Sequence, residues 1–418
     1  MKHELHAGKL LQSGIIFTLI SFVTALGNMA FQAVLGRHLS EQGQYGDANS
    51  ALGGLMPLLG LLPTIATFAV THYIAHFNTS GDGARLQGLL RGCRRFLFQF
   101  TLAGSALAIV AIKPLSDYFH YSRSLMLVSL GCALAGCWVS LATALCQGLA
   151  WFKRLAFIGF LAMLLRVACG WFVTFKWPSA ETAALAQAFA LLAYLVLLFW
   201  RKDLTLRSDP ISPWNSEFAR YFMFSAAIVV GNYCFQQGDY LVATKFFAKG
   251  DRDNYVAAGI LARALWIAVA PMLTVLFTSR SGERAGSVVS EQLKLIGLSS
   301  LALAFGAICL YGLRVFCLKI LGRYTPEAAA MIAPFAVAMV FVGLLQALAL
   351  WALASRWSKI SALYGALGIG YWCALLVMGK TPALMLQVMP IAAGAAFVVL
   401  LVAWLVTLQR HHWPAAQS

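Results

Sequence analysis

The sequence predicts an all-α polytopic membrane protein of about twelve transmembrane helices in two six-helix bundles, related by a parallel pseudo-repeat. Three observations carry that expectation. Apolar stretches long enough to cross a bilayer, which takes about 20 residues, follow one another through the 418 residues with mainly short basic loops between them. Hydrophobic residues make up 61% of the chain and charged residues 11%, against about 25% charged in an ordinary soluble domain, so no soluble core could bury this surface. A phrase in the first apolar stretch also recurs in the seventh. Gly27-Asn28-Met29-Ala30-Phe31-Gln32 and Gly231-Asn232-Tyr233-Cys234-Phe235-Gln236 share four of six positions.

Taken in order, the first expected span is 12–35. Lys2 and Lys9 precede it as they would a signal peptide, but it is too long for such a segment and lacks a convincing cleavage site, so it reads as a retained helix. The second, 48–76, contains Pro57 and Pro63 with Gly53, Gly54 and Gly60. Proline removes a backbone donor and kinks a helix, which suits either a hinge or a static bend. Ala84–Phe96 alternates leucines and arginines at helical spacing and reads as an amphipathic connector lying on the inner leaflet. Spans follow at 95–113, 124–149, 155–176 and 181–200. The stretch Arg201–Ser216, with its charges and Pro210 and Pro213, reads as a cytoplasmic linker. It divides an N-terminal six-helix bundle, 1–200, from a C-terminal one, 217–418. The second set of spans is 219–244, 255–278, 294–314, 328–354, 359–379 and 384–408. Pro271 in the eighth, leading Pro-Met-Leu-Thr-Val-Leu-Phe, is the counterpart of Pro63 in the second. Six spans per half makes both halves enter from the same face, which is a parallel repeat. A β-barrel would instead show alternating segments of about ten residues.

Lys and Arg set the orientation. With the N-terminus inside, 18 of the 31 fall on the cytoplasmic side, 11 on the opposite side, and Arg166 and Arg263 within spans. Both termini are therefore expected in the cytoplasm, with the chain integral to the cytoplasmic (inner) membrane. The net charge of +16 sits mostly in juxtamembrane loops, where anionic lipid accounts for it, so no nucleic-acid partner is expected. The nine cysteines form no metal or disulfide pattern and read as small packing residues. There is no phosphate-binding G-x-x-x-x-G-K-[ST] loop. No cofactor and no resident metal are expected.

The run Leu35-Gly36-Arg37-His38-Leu39-Ser40, followed by Tyr45-Gly46, resembles the first-helix exit of the polysaccharide-export and oligosaccharide-lipid flippase family. Gln237-Gly238-Asp239-Tyr240-Leu241-Val242, then Phe246-Phe247, Tyr255 and Ala257-Ala258, is similar to the seventh-to-eighth helix region of the same proteins. These belong to the multidrug/oligosaccharidyl-lipid/polysaccharide exporter superfamily, built as two six-helix bundles. The resemblance in arrangement covers the whole chain; the phrases are short. It implies a transporter rather than an enzyme, flipping an isoprenoid-diphosphate-linked oligosaccharide to the outer leaflet by alternating access, with membrane lipids, a coupling ion and polysaccharide polymerases or glycosyltransferases as partners. The drug exporters of the superfamily often place a carboxylate in the first helix, and the first span here has none.

Ionisable groups inside a membrane are costly and mark functional sites. Arg166, Asp239 and Arg263 are three such residues here. A guanidinium binds phosphate oxygens bidentately, so the two arginines suit a diphosphate in a central cavity. Asp239 and Arg263 equally form an intramembrane pair. Asn232, Gln236 and Asp239 stand at i, i+4 and i+7 on one helical face, and Asn28 and Gln32 make the corresponding face of the first span. Amides there would contact sugar hydroxyls or tie helices together. Asp47, at the start of the second span, reads as a helix cap, and Asp251-Arg252-Asp253 as a charged triplet that solvates a tight turn.

Two other functions compete. A multidrug or small-molecule exporter on the same scaffold would favour an acidic, aromatic cavity. An enzyme acting on the same lipid carrier would need carboxylates on sizeable external loops, and the loops here are short.

Overall fold

The computed structural model describes residues 20, 23–39, 43–119, 121–199, 216–282 and 289–412. Among these every element is helical: α1 (23–39), α2 (Tyr45–Ser50), a π turn (Ala51–Leu55), α3 (Met56–Leu59), α4 (Leu61–Ser80), α5 (Gly83–Phe119), α6 (Arg123–Gly148), α7 (Phe152–Lys176), α8 (Ala180–Phe199), α9 (Ser216–Gln236), α10 (Gly238–Phe246), α11 (Lys249–Gly282), α12 (Val289–Ile320), α13 (Pro326–Ala354), α14 (Ser358–Met378) and α15 (Pro382–His412). Nine helices are long and apolar enough to cross a membrane, and the bent run from α2 to α4 makes a tenth. With α1 and the 34-residue α11 the units number twelve, as expected for a polytopic membrane protein. The linker, apart from Ser216, and the start of the first span lie outside the described residues.

Two spans are broken. The second bends by 55° between Tyr45–Leu59 and Leu61–Ser80. The bend falls at Gly60, and both prolines stand in first turns, Pro57 in α3 and Pro63 in α4. For Pro63 the missing N–H costs nothing, because first-turn donors have no partner inside the helix; Pro57 instead directly follows the π turn within the continuous run Tyr45–Leu59. The seventh span breaks at Gln237, between α9 and α10. Pro271 lies inside the continuous α11.

The expected interfacial connector is corrected. Ala84–Phe96 is the beginning of α5, which runs 37 residues without interruption, about 55 Å at 1.5 Å per residue. Nothing between Gly83 and the apolar run stops a helix once begun.

Helices α5 and α12 expose their apolar side chains, with Leu107, Ile109, Leu301 and Ile308 all at least 68% exposed. Such a belt faces lipid tails. Helix α13 lies at the opposite extreme, packed between α11, α12, α14 and α15. Its buried face alternates Ala336, Ala338, Ala347, Ala349 and Ala352 with larger residues, since small residues let membrane helices approach closely. The same device joins α9 to α14, where a Cβ on Gly368 would lie 2.6 Å from the Gly231 Cα. Helix α4 packs on α6 within its own half and reaches across to α9 and α11.

Candidate functional site

Asn28, Phe31 and Gln32 follow one another on α1, and Arg166 faces them from α7. Glycines permit the approach: a Cβ on Gly27 would strike Met163, and one on Gly170 would strike Phe31. Arg166 Nη1 donates to Asn28 Oδ1 at 3.0 Å, and its guanidinium lies 4.2 Å from the Phe31 ring centroid. Neither contact neutralises it, and no ion pair to Arg166 occurs among the described residues. Arg166 Nε and Gln32 Oε1 are both buried without a hydrogen-bond partner. The arrangement is a cation held by an amide and an aromatic face, with donor capacity to spare.

The second cluster joins α9, α10, α11, α13 and α14. Asp239 is 1% exposed and Arg263 9%. Their side chains form an ion pair through Arg263 Nη2 and Asp239 Oδ2, while Arg263 Nε donates to the Gln236 carbonyl at 2.6 Å. The break at Gln237 explains that second bond. A carbonyl at a helix end has lost its intrahelical partner, and the guanidinium supplies one. The ring of Tyr240 lies 4.0 Å from the guanidinium carbon. Tyr255 donates to Asp239 Oδ2 at 2.7 Å. Gln236 Nε2 donates to Gln346 Oε1 at 2.9 Å, which Trp266 Nε1 also reaches. Tyr364 donates to Asn232 Oδ1 at 2.6 Å. Asp239 Oδ1, Arg263 Nη1 and the Tyr371 hydroxyl stay buried and unpaired.

The seven sequence-predicted polar residues therefore fall into two groups. Asn28, Gln32 and Arg166 cluster in one half; Gln236, Asp239 and Arg263 interlock in the other, with Asn232 beside them on Tyr364. Sequence reasoning missed Tyr240, Tyr255, Trp266, Tyr364 and Gln346. Gln346 was findable, as an amide within an otherwise apolar run of α13. Tyr240 and Tyr255 stood in the phrases that carry the family resemblance without a site role of their own, while Trp266 and Tyr364 gave no signal that separates them from packing.

Two further expectations are corrected. Asp47 makes no helix cap; it pairs with Arg252 at 2.5 Å. Asp253 does not solvate a turn, being 4% exposed, accepting from the Gly46 N–H at 2.8 Å and pairing with Arg323 at 3.2 Å. These charges join α2 to the start of α11 and to the turn before α13. Burial pushes the Asp253 carboxyl above the ordinary carboxylate value, and the attraction of Arg323 offsets that only in part. Among the described residues no three His, Cys, Asp or Glu side chains gather as a metal site. All nine cysteines are free.

No protein-family model matches the chain, and neither does any curated protein sequence. Solved structures match its fold over nearly the whole length. An outward-facing multidrug resistance MATE family transporter of the MOP superfamily superposes with a TM-score of 0.69 at 10% identity, covering 95% of this chain and 96% of that one. An inward-facing transporter of the same description gives 0.67 at 12% identity, covering 94% and 98%. A MOP superfamily transporter from Pyrococcus furiosus, whose reversed binding-pocket polarity is reported to suggest a different function, gives 0.65 at 10% identity, covering 94% and 95%. At these identities the likeness establishes the fold.

Proposed function

We propose that this chain is a transporter that flips an isoprenoid-diphosphate-linked oligosaccharide, a surface polysaccharide precursor, from the cytoplasmic to the outer leaflet of the inner membrane. Two six-helix bundles, 1–200 and 217–418, alternate access to a site between them, and both termini lie in the cytoplasm. The observation that carries the reading is Arg166, a cation on α7 paired with an amide and a ring but with no carboxylate. An uncompensated charge within a membrane is expensive, and its cost is recovered when an anion binds. A diphosphate is the anion that a guanidinium fork fits best. The amides Asn28 and Gln32 beside it supply hydrogen bonds to sugar hydroxyls. No covalent step is involved; the driving energy is a coupling ion or consumption of product outside by a polymerase or glycosyltransferase.

Export of small molecules is the second reading, favoured by the multidrug transporters among the matching folds. For cationic drugs it meets an electrostatic objection. Asp239, the carboxylate inside the seventh span, is already neutralised by Arg263, so the balance of charge left at the two clusters is positive.

The test uses a deletion strain complemented with the wild type, Arg166→Lys or Arg166→Gln. Completed oligosaccharide-lipid should accumulate on the inner leaflet in the deletion strain and with Arg166→Gln at normal expression, and partly with Arg166→Lys, which keeps charge but not the fork. Normal surface polysaccharide with Arg166→Gln would overturn the reading. An unchanged lipid-linked pool in the deletion strain would turn it toward small-molecule export.

A further inference from the structure

Arg356 stands where the backbone favours a different residue. Its φ is +58°, in the left-handed region that glycine enters freely and other residues rarely adopt. It follows the last turn of α13. The Arg356 N–H donates to the Leu353 carbonyl at 3.1 Å and the Trp357 N–H to the Ala352 carbonyl at 2.8 Å, the pattern in which helices commonly end on a left-handed glycine. The turn itself therefore needs no side chain here. What the arginine adds is reach. Its Nη1 donates to Glu217, in the first turn of α9, at 3.0 Å, and its Nη2 lies 2.9 Å from Nε2 of His72 on α4. Glu217 and Arg356 belong to residues 217–418 and His72 to residues 1–200. The first contact fixes the guanidinium within its own half, and the second crosses to the other.

That crossing contact works in one protonation state only. A guanidinium has donors and no acceptor, so Nε2 presents its lone pair and the one proton of the neutral ring sits on Nδ1. Nδ1 is buried without a partner, in a residue only 3% exposed. A second proton has to go to Nε2. It removes the acceptor and sets an imidazolium against a guanidinium. Among the described residues, the titratable and charged groups around His72 are Tyr73 and His76 on α4, Tyr221 and Glu217 on α9, and Arg356. Helix α6 meets this turn of α4 through the uncharged Gln147 and Gly148, and no described side chain of α11 beyond Arg263 titrates. The carboxylate of Glu217 bonds the other nitrogen of the guanidinium and is 60% exposed, so water screens it from the new charge.

We infer that His72 and Arg356 form a proton-sensitive latch between the two halves, closed while His72 is neutral and released when His72 is protonated. The inference rests on the alternating-access reading of the proposed function and adds how one end is regulated. With both termini in the cytoplasm, the latch lies at the cytoplasmic end. Arg356 is half exposed, so the proton arrives from that side and has to leave by it before the latch closes again. A proton that enters and leaves by one side does no transport work. The latch sets how often the cytoplasmic end opens, and the driving energy comes from elsewhere.

The experiment is a pulsed distance measurement between spin labels at Ser80→Cys and Gln409→Cys, in the full chain in nanodiscs with the native cysteines replaced. Both positions are exposed, one at the end of α4 and the other in the last turn of α15. The open fraction should rise about threefold as pH falls from about 8 to about 6, across the ordinary imidazole range. His72→Gln keeps an acceptor without a titratable ring and should stay closed throughout. His72→Phe keeps a ring against Tyr221 without an acceptor, and Arg356→Gly relieves the turn while removing the donor. Both should be open to the same raised extent at either pH, with Arg356→Gly melting no lower than the wild type. A pH response that survives in His72→Gln, or closure on acidification, would overturn the inference. Opening in Arg356→Gly with no pH response in the wild type would refute the proton sensitivity and leave the contact as a plain clasp. One unchanging distance in every variant would refute the alternating-access reading itself.

Discussion

Arg263 and Asp239 neutralise each other inside the membrane, and such a pair is worth far less than the cost of breaking it. Removing one partner strands the other charge where no water can reach it, at a cost of about 3–5 kcal/mol, whereas replacing both by apolar residues of similar volume is often neutral. Arg263→Ala should therefore lower thermal stability in detergent by that amount, and Asp239→Leu with Arg263→Met should recover most of it. If Arg263→Ala unfolds at the wild-type temperature, the pair carries no structural weight. Arg166 is the contrasting case. Arg166→Gln leaves only the neutral Asn28 amide without its donor, worth about 1 kcal/mol, so transport should fail while the melting temperature stays nearly unchanged. How much of this was legible follows from chain distance. Asp239 and Arg263 stand 24 residues apart on consecutive helices, and their opposite charges already suggested a pair. Arg166 and Asn28 are 138 residues apart, and no local pattern could join them. The orphaned atoms Arg166 Nε and Gln32 Oε1 exist only in three dimensions.

The second span shows what an element needs in order to bend. Prolines and glycines marked this span for a hinge or a static bend without saying where; the bend falls at Gly60. The π turn at Ala51–Leu55 was not announced, because one extra residue per turn leaves no mark on hydrophobic periodicity. Such a turn displaces carbonyls from their usual partners, and here the Gly54 carbonyl accepts from the Tyr233 hydroxyl at 3.2 Å. Tyr240 packs so closely that a Cβ on Gly53 would lie 2.7 Å from its ring. The two broken spans, second and seventh, therefore brace one another at their irregular turns. Tyr233→Phe should cost about 1 kcal/mol by removing that hydrogen bond, read as a fall in thermal stability. A larger side chain at Gly53 should cost about 1–3 kcal/mol by overpacking against Tyr240. An unchanged melting temperature in both would mean that the turns do not brace each other. Helix α5 gives the opposite lesson, since its leucine–arginine pattern suggested a surface connector and the helix simply continued. Amphipathicity describes what a segment's faces meet, while its end is set by breakers, and none intervened.

Across the whole molecule, helices from before and after the expected linker meet in two places, each closed by different means; on the proposed two-bundle reading these are the two ends of the seam between the halves. At one end Asp47–Arg252, Asp253–Arg323 and the Gly46–Asp253 hydrogen bond form a largely buried network. At the other, His72 stacks on Tyr221 with centroids 4.2 Å apart, and Arg356 bridges His72 and Glu217. The Arg356–Glu217 pair is half exposed or more on both sides, and exposed pairs contribute about 0–1 kcal/mol. That second end should open more readily. The first end is sensitive to pH through Asp253, whose surroundings are Arg323, Arg252 and Asp47. Burial outweighs those arginines and raises its carboxyl above the ordinary value, the value it would regain if the end opened to water. The closed form therefore binds the proton more tightly than the open one. By linkage, acidification favours closure, and the advantage is lost as pH rises through the raised value. Spin labels at Lys176→Cys and Lys319→Cys, with the native cysteines replaced, report the separation of the halves at that end. The open fraction should grow as pH rises through the carboxylate range, and Asp253→Asn should abolish that dependence. Opening on acidification instead would mean that attraction to Arg323 outweighs burial, and that the network closes the molecule by charge rather than in spite of it.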